Sequence, residues 1–141
     1  MWATEHSVET TAAPEQIWRL WADVAGWTEW NGDIERIELE GEFAAGSRIL
    51  MTPIGEETIE LLISEAVEPE LFVDEARMGE IVIRTTHRVQ RIDPERSRVT
   101  YRMEISGAGA DSLGPQIGPE ISGDFPETLA ELIARAESPG A

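Results

Sequence analysis

The residues of this sequence best suited to proton transfer are its two histidines, its single tyrosine and a neighbouring pair of carboxylates. His87 lies in the run Ile81-Val82-Ile83-Arg84-Thr85-Thr86-His87-Arg88-Val89, alternating in step with Ile83, Thr85 and Val89. An imidazole on the apolar face of a strand, with its pKa near neutrality, can serve a bound ligand as general base or acid. The position equally suits a buried histidine bonded to a neighbour such as Thr85 or Tyr101. Tyr101 falls on the apolar face of the next strand, where its phenol either polarises a ligand carbonyl or fills core. His6, in step with Thr4, Val8 and Thr10, reads as structural. Asp74 and Glu75 are consecutive on a strand, so one of them faces inward. A buried carboxylate must be paired or protonated, and an ion pair with Arg77 or Arg84 is expected.

Other chemistries lack their residues. Cysteine is absent, which removes disulfides, thiolate nucleophiles and sulfur-ligated metals. All 11 basic residues are arginine, so Schiff-base chemistry on lysine is excluded. Two distant histidines and scattered carboxylates offer no metal-ligand spacing, and no glycine-rich phosphate loop, dinucleotide fingerprint or nucleophile elbow occurs. No cofactor is expected.

The elements that hold these groups follow from periodicity. Residues 2–10 alternate as a half-buried strand. Pro14 then opens a helix with Ile17, Trp18, Leu20, Trp21 and Val24 on one stripe, which Gly26 ends. A second short turn covers Trp27 to Trp30. Period-two strands are predicted at about 33–40, 46–53, 57–67, 71–78, 80–92 and 97–106, separated by glycine, proline and acidic turns. One apolar and one charged face on the last two predicts an antiparallel sheet covered on one side. The cover is the C-terminal segment, where Leu113, Ile117, Ile121, Phe125, Leu129, Leu132 and Ile133 recur at helical spacing. A helix over about 112–137 is predicted, bent or broken between 114 and 126 by Pro115, Pro119 and Pro126. Its first half, with a loop at 107–112, is the expected pocket entrance, and Ser138-Pro139-Gly140-Ala141 reads as a frayed end.

The order strand, two short helices, six strands, long helix comes with further marks. The run Ser7-Val8-Glu9-Thr10-Thr11-Ala12-Ala13-Pro14-Glu15-Gln16-Ile17-Trp18 resembles the opening of the SRPBCC, or START-like, proteins, which include polyketide cyclase/dehydrase-like and lipid-transport-like domains. Asp23-Val24-Ala25-Gly26-Trp27-Thr28-Glu29-Trp30 looks like the second helix of that family. Phe43-Ala44-Ala45-Gly46-Ser47, Phe72-Val73-Asp74-Glu75, Thr86-His87-Arg88-Val89 and Arg98-Val99-Thr100-Tyr101-Arg102-Met103-Glu104 extend the resemblance over the chain. It implies a single α+β domain, 1–141, of helix-grip fold: a curved antiparallel sheet of about seven strands wrapped around a long C-terminal helix. A deep pocket between the two is implied as well. Its expected lining is Trp27, Trp30, Met51, Ile59, Leu61, Phe72, Met78, Ile83, Thr85, His87, Tyr101, Met103, Ile117, Ile121 and Phe125. Members of the family bind or transform varied ligands, so function has to come from the site.

Composition bounds the partner. With 28 acidic residues the formal net charge is −17, which repels nucleic-acid phosphates and anionic membranes. The absence of a basic leader segment makes the cytoplasm the expected location. The expected partner is an apolar or aromatic small molecule, held by apolar burial and oriented by His87, Thr85 and Tyr101. Two alternatives stand beside it: a cyclase or dehydratase using His87 and Tyr101, and an interaction module or homodimer without a working cavity.

Overall fold

Alternating side chains carry Trp2–Thr10 into the first strand, β1. Thr10 ends it: its Oγ1 accepts from the Ala12 N–H and donates to Glu137 Oε2 at 2.6 Å, pinning the corner to the far end of the chain. Pro14 opens α1, Pro14–Ala22, where its missing N–H costs nothing, and Gln16 Oε1 reaches back to the Ala13 N–H. A 3-10 turn at Val24–Gly26 and the one-turn helix α2, Trp27–Trp30, follow.

The strands are β2 Ile34–Glu40, β3 Arg48–Pro53, β4 Ile59–Val67, β5 Leu71–Met78, β6 Ile81–Asp93 and β7 Arg96–Gly107. They form one antiparallel seven-stranded sheet in the order β1-β7-β6-β5-β4-β3-β2. From β2 to β7 each meets its chain neighbour through a short turn, and β1 closes beside β7. The computed structural model describes residues 1–138, so the frayed end expected at 139–141 lies outside the described residues.

The C-terminal cover is two consecutive helices, α3 Ala110–Ser122 and α4 Phe125–Glu137. This revises one expectation and sharpens another. Ala110 already begins a helix, so half of the loop expected at 107–112 is helical. The break falls at Gly123-Asp124, inside the expected 114–126, and α3 runs through Pro115 and Pro119. Proline disfavours helix at the residue before it partly by colliding with that residue's Cβ. Here both preceding residues, Gly114 and Gly118, have none. Pro126 sits in the first turn of α4, where it is tolerated.

The same two glycines dock α3. A Cβ on Gly114 would lie 2.4 Å from Trp2 Cβ, and one on Gly118 2.3 Å from the Trp2 ring. The indole of β1 is therefore seated directly on the helix backbone. α3 packs on β1 and β7, whereas α4 packs on β1, α1 and α2. Each helix gathers its own apolar cluster. Ile81, Ile83, Met103 and Ile105 lie under α3 and gather its own Ala110. Trp18, Trp21, Trp27, Trp30, Phe72, Tyr101, Leu129 and Leu132 belong to the larger cluster around α1, α2 and α4.

Candidate functional site

Residues directly opposite on antiparallel strands share a face, so the pairing register sorts the concave side into rows. One row is Trp2, Ile105, Ile83 and Ala76, the floor beneath α3. Another is His6, Tyr101, His87, Phe72 and Ala66, an aromatic ladder beneath the larger cluster. Between them runs Thr4, Met103, Thr85, Asp74 and Ile63. Three of these five positions are polar, and the two apolar clusters meet beside them at Ala76 and Phe125. A polar seam thus crosses the inner face between two cores.

His87 is enclosed by rings. It stacks on Phe72 at 3.9 Å and meets Tyr101 edge-on at 4.6 Å, with Trp21 at 6.1 Å. Its Nδ1 lies 3.3 Å from the Phe72 carbonyl, which can only accept, so Nδ1 carries the proton. Its Nε2 lone pair then faces Asp74 Oδ2 at 3.9 Å, too far for a hydrogen bond. Burial pulls the imidazole down to about 3, so the ring is neutral at pH 7. Thr85 and Tyr101, the partners expected for it from sequence, do not hold it; a backbone carbonyl does. The Tyr101 hydroxyl accepts from Trp21 Nε1 at 3.1 Å, and burial raises its pKa above the usual phenol range.

Asp74 is the inward carboxylate, and its side chain is 11 % exposed. Burial, with the charge of Glu75 beside it, pushes its pKa up to about 7. Among the described residues no hydrogen bond or cation offsets that burial. The expected ion pair forms instead on the outward residue: Arg84 donates to Glu75 at 2.9 Å and to Glu65 at 3.0 Å. Register decides this, because Arg84 stands directly opposite Glu75 while Asp74 stands opposite Thr85. Above the seam, the Asp124 carboxyl at the α3–α4 break is raised first by burial and then by the neighbouring Asp33.

The other expected pocket residues divide. Leu61, Phe72, Ile83, Tyr101 and Met103 are buried on the concave face, and Thr85 and Phe125 are half-buried beside the seam. Trp27 and Trp30, expected at the pocket mouth, are buried in the larger core, where Trp27 Nε1 donates to the Trp21 carbonyl at 3.0 Å. Met51 and Ile117 are half-buried. Ile59, Met78 and Ile121 are 39 %, 54 % and 40 % exposed. The first two stand at strand ends away from α3, which covers the β1–β7 side. A pocket of ≈ 200 Å³ opens where β1 passes the helix break, lined by Thr4, Glu5, His6, Ser122, Gly123, Phe125 and Pro126. Of these only Phe125 was expected in the pocket from sequence. The inward alternation of Thr4 and His6 and the breaker Gly123 were the available signals for three more.

Among the described residues no group of three or more histidines and carboxylates is arranged to hold a metal ion, and no helix is long and apolar enough to cross a membrane. The sequence profile of a family described as polyketide cyclase / dehydrase and lipid transport matches residues 1–137. No curated protein matches the chain. Among solved structures, truncated norcoclaurine synthase from Thalictrum flavum superposes with a TM-score of 0.79 at 14 % identity, over 97 % of this chain and 94 % of that one. The same enzyme in complex with dopamine and hydroxybenzaldehyde gives 0.73 at 14 %, over 97 % and 88 %. A START superfamily protein from Mycobacterium smegmatis gives 0.73 at 16 %, over 96 % and 97 %. At such identities these likenesses establish the fold, a sheet gripping C-terminal helices.

Proposed function

Because the chain belongs to the polyketide cyclase / dehydrase and lipid transport family, we propose that it binds an apolar or aromatic small molecule in the seam between sheet and C-terminal helices. The observation that carries this reading is the polar row Thr4, Thr85 and Asp74 lying between two separate apolar clusters, with a pocket opening at its β1 end. Polar side chains left between packed cores are what a ligand site requires: apolar walls for affinity and a few fixed groups for orientation. The neighbouring fold whose structure holds dopamine and hydroxybenzaldehyde supports an aromatic ligand of modest size.

The same geometry favours holding over proton shuttling. His87 is neutral and Tyr101 stays protonated at pH 7, and the phenol oxygen already takes a hydrogen bond from Trp21. Neither is poised to exchange a proton near neutrality. The charge of −17 also favours a small molecule over a nucleic acid or an anionic membrane as the partner.

Saturation-transfer NMR with 2-naphthol tests the reading. Thr4→Trp fills the pocket end of the seam and Thr85→Phe fills its middle. Both should weaken binding by about tenfold or more, since space for the ligand is lost, with circular dichroism unchanged. Undiminished binding in both folded variants sinks the proposal.

A further inference from the structure

The charges around the seam are all of one sign. The eleven arginines stand on exposed or outward positions, and Arg84, the one nearest Asp74 in sequence register, is held on the convex face by Glu75 and Glu65. Facing Asp74 from the packed elements are His87 of β6 and Tyr101 of β7, both neutral, and the Asp124 carboxyl just before α4 adds negative charge near Tyr101. Glu75, on Asp74's own strand, turns outward. Asp74 is therefore an inward carboxylate with no cation among the described residues to meet it.

Resting on the ligand site argued above, we propose that the site selects ligands bearing a protonated nitrogen, an aromatic or alkyl amine whose ammonium sits against Asp74. An ammonium there supplies the missing counter-charge and donates to the free carboxylate oxygens, a charge-assisted bond. A ligand carboxylate meets like charge from Asp74 and Asp124 in a poorly solvated place, so fatty-acid-like anions are rejected. The proton balance is simple. Below neutral pH Asp74 is protonated, so binding converts COOH and an ammonium into a carboxylate–ammonium pair and releases one proton to buffer.

Three probes of one shape decide it: 2-phenylethylamine, 2-phenylethanol and 3-phenylpropionate, titrated calorimetrically into the whole protein at pH 6 and 7.5. The amine should bind about tenfold more tightly than the alcohol, with the acid weakest. Asp74→Asn, which mimics the protonated carboxyl in shape, should reduce the amine-to-alcohol ratio to about one. In the unmodified protein, titrations at pH 6 in buffers of different ionisation heat should report proton release with the amine and none with the alcohol. Alcohol binding equal to amine binding overturns the amine preference and leaves the apolar site standing. Absence of binding by all three overturns both.

Discussion

Asp74 and His87 face each other with opposite distortions, and their effects on stability run in opposite directions with pH. The Asp74 carboxyl is raised from its ordinary value to about 7, so the folded protein holds a proton that the unfolded chain has lost between pH 4 and 7. Its contribution therefore declines as pH rises through that window. The His87 imidazole is lowered to about 3, so between pH 3 and 6.5 the unfolded chain takes up a proton that the folded protein refuses. Its contribution is complete above 6.5 and is lost as pH falls. Relative to the unmodified protein, Asp74→Asn should gain stability progressively from pH 4 to 8, by a few kcal/mol at most. His87→Gln should lose its relative disadvantage as pH falls towards 4. Urea midpoints at four pH values give both slopes; parallel curves for all three proteins would contradict the assignment. Sequence alone located His87 on the inner face, because strict alternation from Ile81 to Val89 requires it. It misjudged the partner of Asp74, because which carboxylate meets Arg84 depends on register, and a shift of one residue would exchange the two.

At the scale of elements, the docking of α3 on Trp2 is the contact most open to a sharp test. Alanine exceeds glycine in helix propensity by about 1 kcal/mol, so Gly118→Ala should stabilise α3 if nothing lay against it. With the Trp2 ring 2.3 Å from the new Cβ, the opposite is expected, a loss of about 1–3 kcal/mol from overpacking. Trp2→Ala vacates the space, so the double variant should cost less than the two single changes added together. Denaturant unfolding of the four proteins measures the coupling; strict additivity would falsify the contact. The strands themselves were legible, since their alternation and turn residues placed every one within about two residues of its observed ends. The helical cover was less so. Proline marks a break by default; Gly114 and Gly118 ease the local clash with Pro115 and Pro119, but the docking of this stretch needs the knowledge that both glycines face an indole. That pairing spans the whole chain, from residue 2 to residue 118, and leaves no local trace.

Across the whole molecule, the polar seam divides what is usually one continuous core. The cluster under α3 and the cluster around α1, α2 and α4 meet at Ala76 and Phe125, and the helix break at Gly123-Asp124 lies above the same line. Two bodies joined by so narrow a waist melt with less than full cooperativity, because disordering one strips little apolar contact from the other. A ligand that occupies the seam touches both and couples them. Scanning calorimetry of the empty protein should then give a van't Hoff enthalpy below the calorimetric one. Saturation with a bound amine should bring the two together while raising Tm, and an unchanged ratio on ligand saturation would count against the divided core. In thermal terms, a ligand bound in the seam as proposed is the last member of the hydrophobic core, supplied from outside the chain.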